Sequence, residues 1–180
     1  MRPPGYVISR TSSALKTNFA SCTFIFFMGL HIKMMSYTLS TMPVIVLDTN
    51  VFVSALRSEG GASREVLRCI LLGRYMPLFG NALWLEYEDL LSRPIWADLT
   101  TTLERREVLA AVAQAGQWIS VYYGWRPNLP DEGDNHLIEL AVAGGAQAIV
   151  THNVRDIARG ELAWKELQVL TPAQCLENLP

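Results

Sequence analysis

Short apolar runs, separated by segments with helical spacing, decide which fold classes this sequence can adopt. Val44–Leu47 is a continuous apolar run of the kind that forms a strand covered on both faces of a parallel sheet. Further strands are predicted at Met76–Phe79, Trp118–Tyr122, Ala148–Thr151 and Leu167–Leu170. Because helical segments separate these strands, the sequence predicts an α/β domain, a three-layer α/β/α sandwich around a mainly parallel sheet.

Residues with known helix-ending preferences bracket the predicted helices. Apolar residues from Val66 to Leu71 have helical spacing, and Gly73 can end that helix. Asn81 is predicted to cap the next helix, which Arg93-Pro94 ends. Thr101 with Glu104 fits a capping box at the start of one later helix. Another helix is predicted from about Asp134 to Ala143. The last helix is indicated by Thr171-Pro172, a cap followed by proline at the first helical position.

Residues 1–41 differ in character from the rest of the chain. They carry a net charge of +4, whereas residues 42–180 carry −6, and their apolar stretch from Phe19 to Leu30 is shorter than the roughly 20 residues of a membrane span. A signal peptide and a membrane anchor are alternatives for this segment. The interpretation we adopt is that translation starts at Met42, Met34 or Met35, so that 1–41 is a mis-assigned or disordered extension of a domain covering 42–180.

Composition excludes several classes of protein. A hydrophobic share of 50% and a charged share of 18% are typical of a globular domain, not of a disordered chain. The three cysteines, Cys22, Cys69 and Cys175, are far apart, which argues against a disulfide scaffold or a structural zinc site and favours the reducing cytoplasm. Because the body is acidic, a polyanionic partner needs a local basic patch or bound cations.

Oxygen-bearing side chains follow the predicted strands or begin the predicted helices. Asp48 comes directly after the first strand, and Asn153 and Asp156 follow the fourth. Glu86 lies on a helix, and Asp134 begins another. Because ligands of parallel sheets bind at the carboxyl ends of the strands, we expect these residues near one site.

Clustered carboxylates repel one another, so either one of them is protonated or a cation lies between them. Mg²⁺ prefers oxygen ligands, and such an ion suits phosphodiester hydrolysis. Each residue also has a structural alternative: Asp48 and Asp134 can be helix caps, and Glu86 can belong to a solvated face with Glu88 and Asp89. His136 and His152 are single histidines without a partner at metal-ligand spacing.

The stretch from Val44 to Leu56, which contains Asp48-Thr49-Asn50, resembles the opening of a PIN domain. The stretch from Asp131 to Ile157 is similar to the closing half of that family, and Leu85-Glu86-Tyr87 falls where the family has its helical glutamate. The chain looks most similar to the bacterial toxins of toxin–antitoxin pairs, the VapC-like ribonucleases. This resemblance implies an α/β/α sandwich, a Mg²⁺- or Mn²⁺-dependent endoribonuclease acting on RNA, a homodimer, and inhibition by a small cognate antitoxin, with no membrane partner.

Residue by residue, the resemblance implies that Asp48 and Asp134 are direct metal ligands. Glu86 is then a ligand through water or a general base. Asn50 supports Asp48 by hydrogen bonding, and Thr151 lines the floor of the site.

The sequence departs from the family at Asn153, where many members have aspartate, and Asp156 comes three residues later. Asparagine can bind a cation but adds no negative charge, so a second metal ion is the doubtful part of the mechanism. Two alternatives remain open. The chain is a non-catalytic PIN-like module that binds RNA or protein, or a phosphatase with Asp48 as nucleophile, although Asn50 stands where that chemistry usually has a second acid.

Overall fold

The structure is a computed structural model that describes residues 42–96, 100–124, 128–162 and 164–179. The expectation for residues 1–41 lies outside this range and stays a prediction. Within the described ranges, no helix is long and apolar enough to cross a membrane.

The five strands are β1 Val44–Leu47, β2 Met76–Phe79, β3 Gln117–Trp118, β4 Ala148–Val150 and β5 Gln168–Leu170. The helices of the described residues are α1 Thr49–Arg57, α2 Ala62–Leu71, α3 Asn81–Ser92, α4 Thr102–Gln114, α5 Asn135–Gly144, α6 Val154–Ile157 and α7 Pro172–Asn178. Two 3₁₀ turns, Pro94–Trp96 and Glu132–Asp134, complete the described secondary structure.

All strand pairs in the sheet are parallel, in the order β3-β2-β1-β4-β5. The chain runs from the central β1 towards one edge through β2 and β3, and then returns to the other side of β1 as β4 and β5. The direction of connection therefore reverses between β1 and β4. Such a reversal opens a crevice at the carboxyl ends of these two strands, which is where ligands of open α/β sheets bind.

Helices cover both faces of the sheet. Helix α5 packs against β1, β2 and β4, whereas α7 packs against β4, β5 and α2. Because crossovers between parallel strands are almost always right-handed, connections that run in opposite directions lie on opposite faces. The predicted α/β/α sandwich with a parallel sheet is confirmed.

The predicted strand from Trp118 to Tyr122 is wrong in length, because only Gln117 and Trp118 join the sheet. Its one neighbour is β2, and the last pair in their register is Phe79 with Trp118. The Ile119 amide still donates to the Phe79 carbonyl at 2.8 Å, but beyond this point the neighbouring chain turns into α3. The following residues have no strand left to pair with.

Two of the three predicted side-chain caps are confirmed. Thr101 and Thr171 each form a capping box, with Glu104 and Gln174. Asn81 is not a cap: it is the first residue of α3, whose cap position is Gly80 in extended conformation, with no side-chain hydrogen bond. The sequence analysis did not predict helices α1 and α6, which begin directly after the polar residues that follow β1 and β4.

Candidate active site

Asp48 is held at the crevice by the end of the central strand. Its backbone amide donates to the Val150 carbonyl at 2.9 Å, which fixes the end of β1 against β4. The side chain caps α1, since its Oδ1 accepts from the Asn50 amide at 3.2 Å. The residue is only 7% exposed. The capping interpretation of Asp48 is therefore correct, and it leaves the same carboxylate at the mouth of the crevice.

Neutral donors surround the Asp48 carboxylate. Oδ2 accepts from the Thr151 hydroxyl at 2.5 Å and from the Asn50 side-chain amide at 2.7 Å. Asn50 Nδ2 also donates to Thr151 Oγ1 at 3.2 Å. Burial raises the pKa of Asp48, the hydrogen bonds from Thr151 and Asn50 lower it, and the charge of Glu86 raises it again, so that the pKa is above its ordinary value. Asn50 and Thr151 thus both donate to Asp48, and their supporting roles in catalysis stay predictions.

Glu86 reaches the same place from helix α3. The Thr49 hydroxyl is 2.7 Å from Glu86 Oε1 and 3.3 Å from Asp48 Oδ1, so it lies between the two carboxylates. The next residue, Tyr87, is buried and donates its hydroxyl proton to the Leu47 carbonyl at 2.6 Å. This bond fastens α3 to the end of β1 and so places Glu86 beside Asp48.

Asp134 completes the set of acidic groups. It occupies the cap position of α5 but its side chain makes no capping hydrogen bond, so the structural alternative for this residue is not borne out. Burial is the largest cause that raises the pKa of Asp134, and the charges of Asp48, Asp131 and Glu86 raise it further. The charges of Asp48 and Glu86 therefore act on Asp134, although the three residues are remote in sequence. We call these three residues the carboxylate cluster.

His136 is the residue whose role the sequence did not reveal. Its Nδ1 lies 2.7 Å from the Gly133 carbonyl oxygen, and its Nε2 lies 3.1 Å from Glu86 Oε2. The second contact is an ion pair, because the nitrogen misses the angle of a hydrogen bond. Both neighbouring atoms are acceptors, so this position favours the protonated ring, which carries a proton on each nitrogen. Burial lowers the pKa of His136, but Glu86, Gly133 and Asp134 outweigh it, so the pKa is raised.

The same histidine sets the ionisation of Glu86. The contact with His136 is the largest cause that lowers the pKa of Glu86; burial opposes it, and the Thr49 hydroxyl lowers it further. Glu86 is therefore the carboxylate of the cluster that favours the charged form. The Asp134-x-His136 spacing at a helix start is the sequence signal that could have drawn attention to this histidine.

The fourth predicted position is less closely involved. The Asn153 amide donates to Thr151 Oγ1 at 2.9 Å, but its side chain makes no hydrogen bond to a described residue. Asp156 lies half-buried on α6 and has no hydrogen bond or ion pair with the described carboxylates. The structure brings Asp48 and Glu86 together with Asn50 and Thr151, and both carboxylates raise the pKa of Asp134. The metal-binding roles of all these residues, and those of Asn153 and Asp156, stay predictions.

The donor chemistry of the cluster fits a hard divalent cation, since the side chains of Asp48, Glu86 and Asp134 offer carboxylate oxygens as ligands. As the side chains stand, no group of three or more His, Cys, Asp or Glu residues in the described part of the chain has the arrangement of a metal site. The protein's own donors take up the oxygens of Asp48 and Glu86.

Fold and site together define an α/β protein with a carboxylate cluster at the switch point of a parallel sheet. A family model described as PIN domain matches residues 44–155, more than half of the chain. The chain belongs to the PIN domain family.

Two solved structures show what the fold is similar to. VapBC2 from Rickettsia felis, bound to a DNA fragment from its promoter, matches with a TM-score of 0.50 and 13% identity over 71% of this chain and 98% of that one. DNA-bound VapBC from Salmonella typhimurium has a TM-score of 0.49 and 14% identity over 73% and 99% of the two chains. No curated protein sequence matches significantly.

Proposed function

We propose that this protein is a metal-dependent endoribonuclease that hydrolyses phosphodiester bonds of RNA. One observation carries the proposal: the Thr49 hydroxyl lies between the carboxylates of Asp48 and Glu86, 3.3 Å from one and 2.7 Å from the other, at the switch point of the sheet. The charges of both carboxylates also raise the pKa of Asp134. Membership of the PIN family supports it, because the cluster occupies the positions that the sequence resemblance assigned to catalysis.

In this proposal Asp48 and Asp134 hold Mg²⁺ or Mn²⁺. When bound, such an ion supplies the positive charge that a scissile phosphate and an attacking water require. Glu86 orients that water and accepts its proton, a role that requires the ionised carboxylate which its lowered pKa favours. Asn50 and Thr151 keep the Asp48 carboxylate facing the crevice by donating to its oxygens.

The experiment compares two neighbouring glutamates of α3. Glu86→Gln should reduce RNA cleavage by the purified protein by at least about 100-fold, within the range for loss of a general acid–base group. Glu88→Gln is the matched control, since Glu88 is exposed on the same helix, and it should retain wild-type cleavage. Excess EDTA should abolish cleavage, and cleavage that persists in EDTA would refute the metal mechanism. Cleavage that persists in Glu86→Gln would refute Glu86 as the base.

We further propose that the chain is the toxin of a toxin–antitoxin pair, acts as a homodimer in the cytoplasm and is held inactive by a small antitoxin. The sequence resemblance to such toxins supports this, and the fold shared with VapBC2 agrees with it. Induced expression should arrest growth, whereas Asp48→Asn should not, and the product of a small adjacent gene should restore growth and co-purify with the chain. Growth unaffected by the active protein would contradict the toxin assignment.

A non-catalytic module that binds RNA or protein is the second candidate. It is favoured by Asn153 at the fourth acidic position and by the hydrogen bonds that already occupy Asp48 and Glu86. Calorimetric titration with MnCl₂ separates the two candidates. Binding that Asp134→Asn abolishes supports the enzyme, whereas no binding at millimolar Mn²⁺ supports the module.

A further inference from the structure

A serine and a histidine outside the carboxylate cluster contact each other beside the crevice. Ser63 lies in the first turn of α2, and His152 comes directly after Thr151 at the end of β4. The Ser63 hydroxyl and His152 Nε2 share a hydrogen bond of 3.0 Å. The His152 backbone amide also donates to Asn50 Oδ1 at 3.2 Å. The Asn50 contact therefore fixes the backbone of His152, and the Ser63 contact orients its imidazole.

The two partners differ in exposure, and this difference assigns their roles. Ser63 is only 7% exposed, so its hydroxyl is not accessible to a large substrate and cannot act as a nucleophile on one. His152 is exposed, and its Nδ1 has no hydrogen-bond partner in the part of the chain that the structure describes. The ring is thus held at one nitrogen and open to solvent at the other, which suits a group that binds a ligand.

The pair is directly connected to the carboxylate cluster. Asn50, which accepts from the His152 amide, donates through its side-chain amide to Asp48 Oδ2 at 2.7 Å. Two hydrogen bonds therefore separate the backbone of His152 from the central carboxylate. A nucleic acid whose scissile phosphate lies at Asp48 has its neighbouring phosphates within reach of the residues that flank this position.

Basic residues follow both members of the pair in sequence. Arg64 follows Ser63 and donates to the Ser58 carbonyl at 2.6 Å, and exposed Arg155 on α6 comes shortly after His152. Their positive charges favour the approach of a polyanion, although Glu65 and Asp156 are their neighbours in sequence.

We propose that His152 is a binding residue for an RNA phosphate next to the scissile one, and that Ser63 is the positioning residue that orients its ring. This inference rests on the proposed ribonuclease function, because it places the RNA strand across the same crevice. The ring nitrogen that faces solvent donates to a phosphate oxygen, and such a charge-assisted contact adds affinity without taking part in bond cleavage.

The test measures binding separately from cleavage. A 5′-fluorescein-labelled single-stranded RNA of mixed sequence is titrated with the full-length protein in EDTA, and its anisotropy is recorded. His152→Ala should raise the Kd roughly tenfold, the effect of losing one hydrogen bond to a charged group. Lys165→Ala is the matched control: it removes a full charge from an exposed position, and it should change the Kd by less than about twofold.

Ser63 is tested through its dependence on His152. Ser63→Ala should raise the Kd severalfold in the wild-type background and should have no further effect when His152 is already alanine. Additive effects of the two substitutions would overturn the positioning role. His152→Arg, which restores a phosphate donor, should recover most of the affinity, and failure to do so would argue against a phosphate contact.

Cleavage assays with Mg²⁺ then separate this inference from the proposed function. His152→Ala should raise KM and leave kcat within about twofold of the wild type. A fall in kcat at constant KM, or an unchanged Kd in EDTA, would overturn the inference even if the enzyme cleaves RNA. An increased Kd in a protein that cleaves no RNA would support the phosphate contact while refuting the nuclease.

Discussion

Replacing Thr151 by valine should destabilise the protein in a manner that depends on pH. The hydroxyl is fully buried, donates to Asp48 Oδ2, and accepts from Asn50 and from the Asn153 amide. A net loss of about 2 kcal/mol is expected for a hydrogen bond to a charged group. For a domain of this size, that loss corresponds to a fall of roughly 6 °C in Tm.

The sign of the pH dependence follows from Asp48. Its folded pKa is raised above its ordinary value, chiefly by burial, so its contribution to stability is present at low pH and is lost as the pH rises through the folded pKa. The Thr151 hydrogen bond is the largest cause that lowers this pKa, and removing it raises the pKa further. Thr151→Val should therefore lose more stability at neutral pH than at about pH 3, which is below the ordinary pKa of a carboxyl group and hence below the raised pKa of Asp48.

Thermal unfolding in EDTA, followed by circular dichroism at both pH values, measures this difference. Thr171→Val is the matched control, because Thr171 follows β5 as Thr151 follows β4 but caps a helix through the Gln174 amide. The control should lose about 1 kcal/mol, equally at both pH values. An equal loss for Thr151→Val at both pH values would refute the coupling between this hydroxyl and the Asp48 charge.

Three further predictions concern other parts of the chain. His136→Ala should raise the pKa of Glu86, because the contact with His136 is the largest cause that lowers this pKa. The acid limb of the pH–rate profile for RNA cleavage should therefore move to higher pH, and an unmoved limb would exclude Glu86 as the base. Asn153→Asp should strengthen Mn²⁺ binding in calorimetry severalfold, and unchanged affinity would place this residue away from the cation. Gly116→Ala should lower the free energy of unfolding, measured in urea, by at least about 2 kcal/mol, because the new Cβ would lie 2.6 Å from a carbonyl oxygen of β2. Gly60→Ala is the control and should have little steric cost, since nothing lies within 4 Å of its Cβ.

Local features of the sequence predicted the fold well. Continuous apolar runs such as Val44–Leu47 indicate buried parallel strands, because only a sheet covered on both faces hides every side chain of the run. The capping boxes at Thr101 and Thr171 involve residues three apart, and the structure contains both. Two predictions failed because neighbouring residues decided the outcome. The strand predicted to reach Tyr122 ends at Trp118, where the neighbouring β2 turns into α3, and Gly80 takes the cap position predicted for Asn81.

The candidate site could be predicted only in part. Asp48 and Asp134 were recognisable from their positions next to a strand and a helix start. Glu86 stands in a polar run with Glu88 and Asp89, and periodicity alone does not distinguish them. In the structure, the buried Tyr87 hydroxyl donates to the Leu47 carbonyl at the end of β1. This hydrogen bond holds α3 so that Glu86 lies beside Asp48.

The order of apolar runs, caps and turns along the chain predicted the parallel sheet and its three layers. The strand and helix patterns are local, and the rules for crossover connections leave few ways to join them, although the sheet itself pairs distant residues such as Ile45 with Ala148. Only the tertiary structure decided that His136 pairs with Glu86 and that Ser63 holds His152. Those pairs join elements separated by 50 and 89 residues along the chain. Their geometry depends on how helices pack on the sheet, because the free energy of a contact between distant segments is set by burial and by neighbouring charges that no local pattern contains.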